Sequence, residues 1–79
     1  MKVVIYSKDN CPNCVKAKAL LEQHNPEVLK LGEDISRDAF FEKFPGVKTV
    51  PQIEIDGSHI GGYTDLEKWL AFNNSEEDF

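Results

Sequence analysis

Cys11-Pro12-Asn13-Cys14 is the segment that most limits what this chain can fold into. It falls between Val3-Val4-Ile5-Tyr6, a β-branched and aromatic run that reads as a buried strand, and a stretch from Pro12 to about His24 rich in helix formers. Ser7-Lys8-Asp9-Asn10 is the polar loop leading into the pair. Pro12 suits a first helical turn, where its missing N–H is no loss. Residues three apart share one side of a helix, so two cysteines placed there can close a small ring. Cys11, at the cap position, would receive free backbone N–H groups and the positive end of the helix dipole. Both favour thiolate over thiol. Lys8 would add positive charge nearby. Cys14, already inside the helix, is expected to be the more buried sulfur. That asymmetry assigns the roles: Cys11 attacks a disulfide and Cys14 resolves the mixed disulfide.

The remaining elements follow from periodicity and turn chemistry. Ala17, Leu20, Leu21 and His24 form the apolar face expected of the first helix, which Asn25-Pro26 ends. Val28-Leu29-Lys30-Leu31 reads as a second strand. Ser36 is the expected N-cap of a helix carrying Phe40, Phe41 and Phe44 into the core, and Pro45-Gly46 stops it. Ile53 and Ile55 alternate with Gln52 and Glu54, and Asp56-Gly57 follows as a hairpin signal. Ser58-His59-Ile60 is the returning strand, with His59 expected on the hairpin surface. Gly61-Gly62 breaks it. Thr64-Asp65-Leu66-Glu67 then reads as a capping box opening a last helix, with Leu66, Trp69 and Leu70 on its apolar face. The order β-α-β-α-β-β-α predicts an α/β fold: a mixed sheet with helices on both faces, the first two strands parallel and the hairpin an antiparallel edge.

Composition narrows the function. At 79 residues, one domain over 1–79 is expected. The net charge of -5 argues against a general affinity for nucleic acid or an anionic membrane. Glu76, Glu77 and Asp78 hold part of that charge, and residues 73–79 read as a frayed acidic tail. No run of roughly 18 apolar residues could cross a membrane as a helix. The opening MKVVIYSKDN has no apolar h-region, so no signal peptide is expected. Two cysteines are too few for a secreted disulfide framework. A reducing, cytoplasmic setting is therefore expected, where a close cysteine pair is catalytic or metal-binding. A structural zinc site needs four ligands, of which Cys11 and Cys14 supply two. His24 and His59 would have to complete it, but His24 lies well down the helix and His59 has no partner at ligand-like spacing.

Over about residues 3–72 the chain resembles the glutaredoxin family of the thioredoxin fold. Three separated segments carry the likeness: Cys11-Pro12-Asn13-Cys14, Thr49-Val50-Pro51 and Gly61-Gly62-Tyr63-Thr64-Asp65. The resemblance implies a thioredoxin-like, four-stranded mixed sheet flanked by helices and a cis bond before Pro51. It also implies glutathione as co-substrate, with no tightly bound cofactor and no metal. Glutathione would lie in a groove beside Cys11, its cysteinyl backbone paired with Val50 of the Thr49-Val50-Pro51 segment like an added strand. Its γ-glutamyl end would be held by Gly62, Tyr63, Thr64 and Asp65, where helix N–H groups suit a carboxylate and Asp65 an ammonium. Lys8, with Arg37 or Lys48, would face the glycyl carboxylate. Asn13 stands where the family often has tyrosine, so one wall of the groove lacks an aromatic face.

The activity so implied is glutathione-dependent reduction of protein disulfides and glutathione mixed disulfides by a monomer. Its partners would be glutathione and oxidised proteins, with ribonucleotide reductase a client by resemblance only. Two alternatives stay open. One is a thioredoxin-like donor reduced directly by a flavoprotein reductase, although the tryptophan typical of thioredoxins before the first cysteine is missing. The other is an iron–sulfur cluster carrier, disfavoured by the stiffening effect of Pro12.

Overall fold

The computed structural model describes residues 1–74. The strands are β1 (Val3–Ser7), β2 (Glu27–Lys30), β3 (Gln52–Ile55) and β4 (Ser58–Gly61), and the helices α1 (Pro12–Leu21), α2 (Arg37–Lys43) and α3 (Tyr63–Asn74). The sheet order is β2-β1-β3-β4. β1 and β2 run parallel, with Val4 opposite Glu27, whereas β3 is antiparallel to both β1 and β4. The mixed sheet and its flanking helices are those expected of a thioredoxin-like fold.

Both faces of the sheet are covered, which explains why β1 reads as an unbroken apolar run. Val3 and Ile5 point to one side, where they pack with Ile53 and Ile55 against Ala17 and Leu21 of α1 and Leu66 of α3. Tyr6 points to the other, against Phe40 of α2 and Phe44 at its C-terminal cap, with Val4 packed beside them. The Tyr6 ring meets Phe44 edge-on at 5.2 Å, a favoured aromatic geometry. The hairpin turns on Asp56 and Gly57, both at positive φ as a two-residue type I′ loop requires.

The elements depart from the sequence reading in several places, and β2 is shifted one residue back from the expected 28–31. Helix α1 ends at Leu21 and a 3₁₀ turn, Glu22–His24, carries the chain to Asn25. Its buried stripe is Cys14, Ala17 and Leu21, so Leu20, one residue off that stripe, is 41% exposed. Phe41 is likewise 45% exposed, because Phe40 and Phe44 stand one turn apart on the buried face and their neighbour points away. The last helix starts at Tyr63, so Thr64 is not its cap. Instead Gly62 precedes the helix and its N–H donates to the Asp65 carboxylate at 3.1 Å, the returning half of a capping box with no hydroxyl to complete it. Finally, Asn73 and Asn74 belong to α3 rather than to a tail, while residues 75–79 of the expected tail lie outside the described residues.

Candidate functional site

The dithiol sits where the chain leaves β1 and enters α1. Asn10 takes a left-handed conformation, turning the loop, and Cys11 is extended at φ -122°, ψ 97° as the N-cap residue. The Cys14 N–H donates to Cys11 Sγ at 3.2 Å, a cap made by sulfur where serine or aspartate is usual. Cys11 and Cys14 are joined as a disulfide, their Cα atoms 5.2 Å apart. Cys14 is 1% exposed and Cys11 9%, so the first sulfur is the accessible one. On reduction, the Cys14 N–H and the helix N-terminus stabilise negative charge on Cys11.

The segment Thr49-Val50-Pro51 closes over this pair. The Val50–Pro51 peptide is cis. Cys11 Sγ lies 3.7 Å from the Val50 carbonyl oxygen, within reach of an S–H donor in the reduced form. A cleft of about 600 Å³ runs from there, one wall formed by Lys48, Thr49, Val50 and Pro51, the other by Gly61, Gly62, Tyr63, Thr64 and Asp65, with Asn13 at the α1 end. Every residue expected to hold the body and γ-glutamyl end of glutathione lines this cleft. Tyr63 also carries Lys16 Nζ 6.0 Å above its ring centroid, which ties α1 to the start of α3. Partial burial, then the neighbouring Glu67, raises the Tyr63 hydroxyl above the ordinary tyrosine range.

Lys8 is not in that cleft. It borders two others: one around Cys11 and Cys14, and one of about 230 Å³ shared with Arg37, Lys48, Phe41, Thr49 and Val50. The Lys48–Val50 stretch is therefore the partition between an open polar cleft and a smaller basic one. Lys8, Arg37 and Lys48, far apart in the chain, converge as three positive groups on the second.

Two residues that sequence reasoning passed over belong to the site. Gln52 alternates with Ile53 and Ile55, yet it too is only 5% exposed, because its side of β3 lies under α2. Its side-chain amide donates to the Thr49 carbonyl at 3.0 Å. His59, expected as a plain hairpin residue, is 2.7 Å from Gln52 Oε1 through Nε2, and its ring centroid is 4.3 Å from that of Phe44. The available signal was a polar side chain directly after Pro51, on a strand with two covered faces. Among the described residues, neither His59 nor His24 joins a group of three or more side chains able to hold a metal ion.

A capped cysteine pair after the first strand of a β2-β1-β3-β4 sheet, faced by a cis-proline, defines a class: the thiol–disulfide oxidoreductases of thioredoxin-like fold. Comparison with known proteins places the chain within that class. The glutaredoxin family model matches residues 3–60. Glutaredoxin 1 of Escherichia coli is 39% identical over 82 residues, spanning 92% of this chain and 96% of that protein. Glutaredoxin 1 of Rickettsia typhi is 44% identical over 69 residues, covering 81% of this chain and 65% of that protein's length. The solution structure of reduced E. coli glutaredoxin superposes with a TM-score of 0.80 at 36% identity, covering 95% of this chain and 99% of that one. A buckwheat glutaredoxin–glutathione complex does so with 0.73 at 27% identity, over 92% and 69%. The chain belongs to the glutaredoxin family.

Proposed function

We propose that the protein uses glutathione to reduce protein disulfides and glutathione mixed disulfides. The observation that carries this reading is the placement of Cys11 Sγ against the Val50 carbonyl, at the head of a cleft whose far end is the Gly62–Asp65 turn. The cleft, at about 600 Å³, suits a ligand the size of a tripeptide. It offers Val50 backbone for strand-like pairing, backbone N–H groups at the start of α3 for a carboxylate, and Asp65 for an ammonium. The family relationship and the buckwheat complex support glutathione as the occupant. The basic cleft of Lys8, Arg37 and Lys48 would take the glycyl carboxylate.

The Cys11 thiolate attacks the glutathione sulfur of a mixed disulfide; the S–S bond breaks and the client leaves as its thiol. A glutathione thiolate then attacks the Cys11-bound sulfur, releasing glutathione disulfide and the Cys11 thiolate. With a protein disulfide, Cys11 forms the mixed bond and Cys14 displaces the client, leaving the Cys11–Cys14 disulfide. Two glutathiones reduce it. The thiols this requires are those of a reducing compartment such as the cytoplasm.

The test is NADPH consumption with hydroxyethyl disulfide, coupled to glutathione and glutathione reductase or to thioredoxin reductase alone. Turnover in the first mixture only is expected. Turnover only with thioredoxin reductase would keep the cysteine chemistry and overturn the glutathione site.

A further inference from the structure

Gln52 and His59 line the cleft beside the Thr49–Pro51 segment, and their hydrogen bonds go to Thr49 and to each other rather than to a cysteine. Resting on the glutathione reading above, we propose that they are positioning residues. His59 locks the Gln52 amide, which holds the Thr49 carbonyl and thereby sets the Val50 peptide that pairs with substrate.

The Gln52 side chain is almost fully buried, so both ends of its amide need partners. Only its NH₂ can approach the Thr49 carbonyl, at 3.0 Å, which leaves Oε1 facing His59. His59 Nε2 must therefore carry the proton and donate across 2.7 Å. Phe44, at the C-terminal cap of α2, supports the imidazole at 4.3 Å between ring centroids. The same amide borders the opposite wall of the cleft, since a Cβ added to Gly62 would lie 3.9 Å from Gln52 Nε2 and 3.5 Å from the Pro51 carbonyl. One buried side chain thus spaces the Thr49–Pro51 wall from the Gly62 turn. Without the His59 donor, Oε1 loses its partner, the amide is free to rotate, and the Thr49 peptide with it.

Two substitutions separate this role from simple packing. His59→Phe keeps a ring against Phe44 but has no N–H; His59→Gln loses the ring but reaches Gln52 with an N–H of similar length. We expect His59→Phe to raise KM for a glutathione mixed disulfide about fivefold with kcat within about twofold, the loss of one part-buried neutral hydrogen bond, and His59→Gln to restore it. Gln52→Leu should raise KM similarly, and adding His59→Phe to it should change nothing further. Melting curves accompany each variant. A second reading needs no substitution: ¹⁵N NMR of the intact protein should show neutral His59 protonated on Nε2. Wild-type KM in His59→Phe, the order reversed between Phe and Gln, or a neutral Nδ1–H imidazole would overturn the proposal. Inactivity of the wild-type protein toward the mixed disulfide would instead overturn the glutathione reading itself.

Discussion

Cys11 Sγ and the Val50 carbonyl oxygen lie 3.7 Å apart although 39 residues separate them in the chain. The sheet brings them together. Tyr6, near the end of β1, is the antiparallel partner of Gln52, the first residue of β3. The loop that leaves β1 and the segment that enters β3 therefore meet at one edge. The Cys11 sulfur therefore has the Val50 backbone on one side and the Cys14 N–H of the helix start on the other.

Replacing the two cysteines should separate two activities. Cys11→Ser is expected to abolish turnover of every disulfide, because serine oxygen is no substitute for the thiolate. Cys14→Ser should retain reduction of glutathione mixed disulfides, which a second glutathione completes, and lose reduction of protein disulfides. Parallel NADPH-coupled assays with a glutathionylated protein and a disulfide-bonded protein read both. Full activity in Cys11→Ser would sink the role assignment.

Isosteric change can part the helix-end bond of Asp65 from the ammonium contact proposed for it. Its carboxylate accepts from the Gly62 N–H at 3.1 Å and lines the cleft. Asp65→Asn keeps an acceptor oxygen and loses the charge, so stability should hold while KM for glutathione rises about tenfold, or about 1.4 kcal/mol. Asp65→Ala should show the same KM and also lose about 1 kcal/mol of stability with the lost end-of-helix bond. Equal KM for wild type and Asp65→Asn would remove Asp65 from substrate binding.

Gly61 is the place where backbone and site constrain each other. Its φ is +122°, and an added Cβ would collide with the Asp65 carboxylate, lying only 2.8 Å from Asp65 Cβ and Cγ. Gly32, at φ +89°, has no atom within 4 Å of such a Cβ and pays only for conformation. Gly32→Ala should therefore cost about 1 kcal/mol and Gly61→Ala at least about 2 kcal/mol, with Asp65 displaced and KM raised as well. Urea midpoints at constant slope measure the difference. A Gly61→Ala protein no less stable than Gly32→Ala would contradict the clash.

These residues also show what was legible in the sequence. Alternation, caps and turn pairs are local rules, so β1, the Ser36 cap, the Asp56-Gly57 turn and the strand–helix setting of Cys11 could be read directly. The Ser36 hydroxyl indeed accepts from the Ala39 N–H at 3.1 Å. The errors arose where a side chain's neighbour comes from a distant element. Gln52 looks outward by period two until α2 covers that face, and Phe41 looks like core until Phe40 and Phe44 take the only buried positions. The last helix starts two residues earlier than Thr64-x-x-Glu67 suggests, because Gly62-x-x-Asp65 offers a competing cap and makes the bond from the Gly62 N–H to Asp65. The cleft itself was visible only through resemblance, since no local pattern says that residues 49–51 and 61–65 face each other.

The Tyr6–Glu54 hydrogen bond should leave a signature at high pH. Tyr6 is 4% exposed and its hydroxyl donates to Glu54 Oε1 at 2.8 Å, while Lys43 approaches the other carboxylate oxygen at 3.5 Å. Burial first, then the bond to Glu54, push the Tyr6 hydroxyl far above its ordinary value of 10.0. Because the folded value is the higher one, the unfolded chain releases its proton first as pH rises. The contribution is therefore whole below about pH 10 and is lost progressively above it. Tyr6→Phe should cost about 1 kcal/mol at neutral pH and flatten the decline above pH 10. Tyr63 and Lys30, whose values are also raised, titrate in both proteins and cancel in the difference. Denaturant unfolding of the two proteins from pH 7 to 11 checks this; parallel stability curves across the range would show that the folded state does not hold the Tyr6 proton.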